Sequence, residues 1–145
     1  MICVDASVAA KWFLQEEWAD RARALLRDTL NADELIVAPS LLPYEVTNIL
    51  RQRLRGDAPI PLEQAIVHLD DFLSVPIELR SPPWLHRRAL ILADTFGLPA
   101  AYDAHYVALA EDLDCVLWTD DRRLLRIVGD RLAFVRSICD YDVTG

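Results

Sequence analysis

The chain has 145 residues, 53% of them hydrophobic and 26% charged, which fits one domain with its own core and excludes a disordered chain. Its net charge of −8, from 23 acidic and 15 basic residues, argues against a charge-driven nucleic-acid binder, which would be basic. It leaves open an enzyme that gathers carboxylates around a cation and keeps its arginines in a local patch.

In chain order, Ile2-Cys3-Val4 reads as a first buried strand. The opening residues carry an acid at Asp5 and no basic leader, so no signal peptide is expected. Ser7 to Leu14 predicts a helix with Ser7 as its N-cap. Ala22, Leu25, Leu26 and Leu30 give an amphipathic helix ending near Asn31. Leu35 to Ala38 is a second strand, and Pro39-Ser40 marks the next helix entrance. Leu42, Val46, Ile49, Leu50 and Leu54 keep helical spacing up to Gly56, and Leu62 to Leu73 repeats the pattern. Val75 to Leu79 predicts an edge strand, because Pro76 is tolerated there. Leu85 to Phe96 is a helix closed by Gly97, and Tyr102, Tyr106, Leu109, Ala110 and Leu113 form another. Cys115 to Trp118 is a fourth strand and Leu132 to Val135 a fifth.

Strands alternating with helices imply an α/β fold: an open, mostly parallel sheet of about five strands with helices on both faces. No linker, repeat or low-complexity segment interrupts it, so residues 1–145 read as one domain. No apolar run nears the roughly 18 residues of a membrane span, and a cytoplasmic protein with no membrane partner is expected. Cys3, Cys115 and Cys139 lack CxxC spacing, and the first two sit in apolar runs, as core cysteines do. His68, His86 and His105 lack the spacing of zinc ligands.

Ligands of open parallel sheets collect at the carboxyl ends of the strands. Asp5 ends strand one, and Asp120 and Asp121 end strand four. Glu45 lies in the first turns of the helix after strand two, and Asp103 in the first turn of the helix leading into strand four. Each acid alone can be a helix cap or a dipole complement. Asp5, Glu45, Asp103 and Asp121 together on one edge repel each other, and the usual remedy is a hard divalent ion, Mg²⁺ or Mn²⁺.

The stretches "VDASVAAKW" (Val4 to Trp12), "YEVTNIL" (Tyr44 to Leu50), "AYDAHYVALA" (Ala101 to Ala110) and "WTDDRRL" (Trp118 to Leu124) resemble, in order, the four motifs of PIN-domain proteins. The chain as a whole resembles a VapC-type toxin, the ribonuclease half of a toxin–antitoxin pair. The resemblance implies a PIN-like fold and Mg²⁺- or Mn²⁺-dependent hydrolysis of RNA phosphodiesters. It assigns the catalytic and metal-binding acids to Asp5, Glu45, Asp103 and Asp121. Ser7 and Thr119 match its small hydroxyl positions, which orient a carboxylate or a water. The Thr-x-Asp pattern favours Asp121 and leaves Asp120 to the helix cap and solvent. The resemblance also implies a cognate VapB-type antitoxin, which brings basic side chains to the acids, and a homodimer.

Arginines must border an acidic pocket that takes RNA. Arg122 and Arg123 stand nearest the acids in sequence and can hold phosphates by bidentate bonds. Arg51, Arg53, Arg55, Arg87 and Arg88 form further clusters. Trp12 is expected in the core, while Trp18, Trp84 and the leucine-rich helices are candidate contact surfaces. Two other readings are a catalytically silent PIN-like binding module and a Mg²⁺-dependent phosphotransfer domain. The complete acid set opposes the first. The missing paired DxD and late lysine oppose the second.

Overall fold

A computed structural model of the protein describes residues 1–143. Strand β1 (Ile2–Val4) leads into a short helix α1 (Ala6–Ala9) and a 3-10 turn (Ala10–Trp12). Helix α2 (Ala19–Asn31), β2 (Ile36–Ala38), α3 (Leu42–Arg53), α4 (Leu62–Ser74) and β3 (Ile77–Leu79) follow. The chain continues through α5 (Pro83–Phe96), α6 (Tyr102–Asp112), β4 (Val116–Thr119), α7 (Arg122–Val128) and β5 (Val135–Ser137).

The five strands form one sheet in the order β3-β2-β1-β4-β5, and every neighbouring pair is parallel. This is the expected α/β architecture, and it explains the strand sequences. Cys3, Val4, Ile36, Val37, Ala38 and Leu117 are all buried, because helices on both faces leave no polar side to the central strands. β3 lies at the sheet edge, where Pro76 interrupts no ladder. Cys3 and Cys115 join the core as expected, and so does Trp12.

The order also locates a crevice. The chain winds outward from β1 through β2 to β3, then returns to the other side of β1 with β4. Strand order therefore reverses between β1 and β4, the switch point at which open α/β sheets hold ligands.

Several boundaries differ from the sequence reading; β3 begins at Ile77 rather than Val75, and β4 spans Val116–Thr119 rather than Cys115 to Trp118. The first helix is capped by Asp5, not Ser7, and it tightens into the 3-10 turn after Ala9. Asp5 accepts the Val8 N–H at 3.2 Å, while the Ser7 hydroxyl turns back to Asp5. The fifth strand starts at Val135, where the expected one ended. Arg131 and Leu132 both donate their N–H to the Val128 carbonyl, at 2.9 and 2.8 Å, so this apolar stretch is first spent on a turn. The second strand begins at Ile36 rather than Leu35.

Candidate active site

Asp5 sits immediately beyond β1 in extended backbone and is 5% exposed. Its Oδ1 accepts the Ser7 hydroxyl at 2.6 Å, and its Oδ2 accepts the Thr119 hydroxyl. The same hydroxyl oxygens receive backbone N–H groups of the β4–α7 turn: Asp120 to Ser7 Oγ at 2.8 Å and Asp121 to Thr119 Oγ1 at 2.9 Å. Asp5 is thus joined through two hydroxyls to the end of β4, across the switch point.

Asp121 caps α7, its Oδ1 accepting from the Arg123 and Leu124 N–H groups at 3.0 Å each. Glu45 lies in the first turn of α3 and Asp103 in the first turn of α6. The Tyr106 hydroxyl, one turn along α6 from Asp103, donates to Glu45 Oε1 at 2.5 Å and ties the two helices together. The four acids line one pocket of about 180 Å³, together with Ala6, Ser7 and Ile49.

No lysine or arginine lines this pocket, and among the described residues none of the four acids is in an ion pair. The charge is therefore uncompensated, and the carboxyls respond. Burial lifts Asp5 to about 6, against the opposing hydrogen bonds from Ser7 and Thr119. Burial, then the neighbouring Asp121, Asp5 and Glu45, lift Asp103 to about 7. Glu45 is also raised by burial, with the Tyr106 hydroxyl working the other way. Such a pocket favours either protons or a cation.

The donor set fits a hard divalent ion, since every ligating candidate is a carboxylate oxygen. Asp5 and Asp121 retain lone pairs beyond those used in capping, and Asp103 lines the same pocket from α6. Among the described residues no three His, Cys, Asp or Glu side chains stand close enough together to hold a metal ion as they are, so a bound ion would have to draw the acids together.

A model of the PIN domain family matches residues 2–130. The chain belongs to the PIN domain family. PIN domains are generally nucleases and typically bind divalent metals, and the match spans all four pocket acids of this PIN domain. No curated protein matches the sequence significantly.

One expectation for this PIN domain is overturned. Asp120 neither caps α7 nor faces solvent. Its carboxylate meets the Lys11 ammonium at 2.9 Å, with side chains only 17% and 5% exposed. Asp121, one residue on, provides the cap. Adjacent acids thus face opposite ways, as alternation along an extended segment requires.

The arginines are less engaged. Arg122 is exposed and pairs with Glu17 at 2.8 Å, Arg123 is exposed, and neither lines the pocket. Sequence reasoning missed two side chains that matter to the site, Lys11 and Tyr106. A single lysine inside the apolar run Val8 to Phe13 was the available sign of the first. The second follows Asp103 by three residues, the spacing that puts two side chains on one helix face.

Proposed function

We propose that the protein is a divalent-metal-dependent endoribonuclease acting as the toxin of a type II toxin–antitoxin pair. The observation that carries the nuclease reading is the pocket of four uncompensated carboxylates at the switch point of a PIN domain. Asp5 and Asp103 would hold Mg²⁺ or Mn²⁺, with Glu45 and Asp121 completing the set directly or through water. When bound, such an ion acidifies water and neutralises charge on the reacting phosphodiester. Ser7 and Thr119 fix both oxygens of Asp5 and Tyr106 fixes Glu45, so these two acids are oriented in advance and the drawing-in falls to Asp103 and Asp121. Arg122 and Arg123 are the proposed phosphate contacts.

The toxin role rests on the ordered VapC-like motifs. A VapB-type antitoxin and a second copy of the chain are the proposed partners. Exposed apolar residues on α4 (Leu62, Ile66, Val67, Leu73) and α5 (Trp84, Leu90, Ile91) support covered surfaces there, since free chains seldom display such patches. No described helix is long and apolar enough to cross a membrane.

The deciding experiment incubates purified protein with total RNA, in Mn²⁺ or Mg²⁺ and in chelator, and maps product ends. Ion-dependent internal cleavage, lost in Asp5→Asn and Asp103→Asn, is expected. Cleavage that survives in either variant, or in chelator, would remove the metal-site assignment. A fully inert wild-type protein would favour the silent binding module.

A further inference from the structure

Among the large apolar side chains left in solvent, two stand apart by position. Tyr44 is 76% exposed and Tyr102 is 64% exposed, and each directly precedes a pocket acid, Glu45 or Asp103. Both occupy the first turn of a helix that begins at the carboxyl edge of the sheet. Successive helical residues point about 100° apart, so while the acids line the pocket, the tyrosines beside them in sequence turn out into solvent.

Tyr102 and Tyr106 are four residues apart and share one face of α6. Tyr106 reaches Glu45 on α3, and Tyr44 is the residue just before Glu45 on that helix. Tyr102 therefore stands about one turn beyond the contact that joins α6 to α3. Neither phenol takes part in any hydrogen bond among the described residues, so nothing in the fold explains their exposure.

We propose that Tyr44 and Tyr102 form a stacking rim that takes unpaired bases of single-stranded RNA on either side of the phosphate entering the acid pocket. This rests on the nuclease reading and names how its substrate is held. Stacking on aromatic rings needs no positive charge, tolerates any base, and is denied to a duplex whose bases already stack. That answers the difficulty posed by a chain of net charge −8, whose pocket is lined by acids and whose arginine nearest to them in sequence, Arg122, is paired with Glu17. Both tyrosines are positioning residues. They hold the bases and leave the phosphodiester to the carboxylates.

The test uses a fluorescent single-stranded RNA of mixed sequence and the same strand in duplex form. Binding is measured by anisotropy in chelator, and cleavage in Mn²⁺. Tyr44→Ala and Tyr102→Ala should each weaken single-strand binding roughly tenfold. Tyr44→Phe and Tyr102→Phe, which keep the ring, should restore it. In cleavage the alanine variants should raise KM with kcat little changed, and the wild-type protein should discriminate against the duplex. Because both side chains are exposed, melting temperature should not move.

Alanine variants that bind single strands as the wild type does would overturn the rim, even if the protein cleaves RNA. Phenylalanine variants as weak as alanine would do the same, since they would implicate the hydroxyl instead. A wild-type protein that binds single strands through these rings without cleaving them would leave the rim standing and sink the nuclease reading. No binding and no cleavage would sink both.

Discussion

Asp120 and Asp121 are neighbours with opposite assignments, and their alanine variants should part company. Asp121→Ala removes the cap of α7, typically ~1 kcal/mol, and takes a carboxylate from the pocket. Asp120→Ala leaves the Lys11 ammonium buried without its partner, which costs about 3–5 kcal/mol. Urea denaturation should therefore show the larger loss in Asp120→Ala, while Mn²⁺ titration shows the larger loss in Asp121→Ala. Equal stability losses would mean that Lys11 finds another anion or reaches water. Tyr106 gives a second contrast. Its hydroxyl holds Glu45 down against the upward pull of burial, so Tyr106→Phe should raise the Glu45 carboxyl further. The acid limb of the pH–rate profile should then move to higher pH. An unmoved limb would show that Glu45 does not limit turnover.

At the scale of elements, α5 ends on Gly97 with φ +66. The N–H groups of Gly97 and Leu98 reach back to Asp94 and Ala93, the latter at 2.8 Å. Open space surrounds a Cβ added there, so Gly97→Ala should cost only the left-handed conformation, about 1 kcal/mol, and leave RNA cleavage unchanged. A larger loss would point to a contact made in an oligomer. This helix end was legible in the sequence, because Gly after a periodic apolar run carries its own conformational reason. So was the edge position of β3, from Pro76. The acids were legible as a set because strand ends in a parallel sheet share one edge. Their partners were not. Lys11 and Asp120 are 109 positions apart in sequence, by subtraction of their numbers, and only the β1–β4 pairing brings their segments together. The start of β5 was misplaced for a local reason, since Leu132 has strand-like composition but a backbone committed to the turn after α7.

For the whole molecule, the acid pocket sets how stability follows pH. Asp5 and Asp103 rise from 3.8 to about 6 and about 7 in the folded protein, so the native state keeps protons that the unfolded chain has released. Stability from these groups is fully present below about pH 4 and is lost as pH rises through 6 to 7. For the buried Asp5 alone the loss is on the order of 3 kcal/mol. Urea denaturation in chelator should give a lower midpoint at pH 8 than at pH 5, and Asp5→Asn should flatten that slope. Saturating Mn²⁺ should restore the pH 8 midpoint by mass action on the native state. A metal-free protein that gains stability between pH 5 and 8 would contradict the burial of these charges.

The capping role of Asp5 and Asp121 carries one more consequence, for amide hydrogen exchange. Their carboxylates accept the main-chain N–H groups of Val8, Arg123 and Leu124, all at helix starts, where opening is easiest. An ion that pins those carboxylates also pins the first turns of α1 and α7. Adding Mn²⁺ should slow deuterium uptake at these three amides ahead of the rest of the chain, so that the helix starts report occupancy of the pocket with no RNA present.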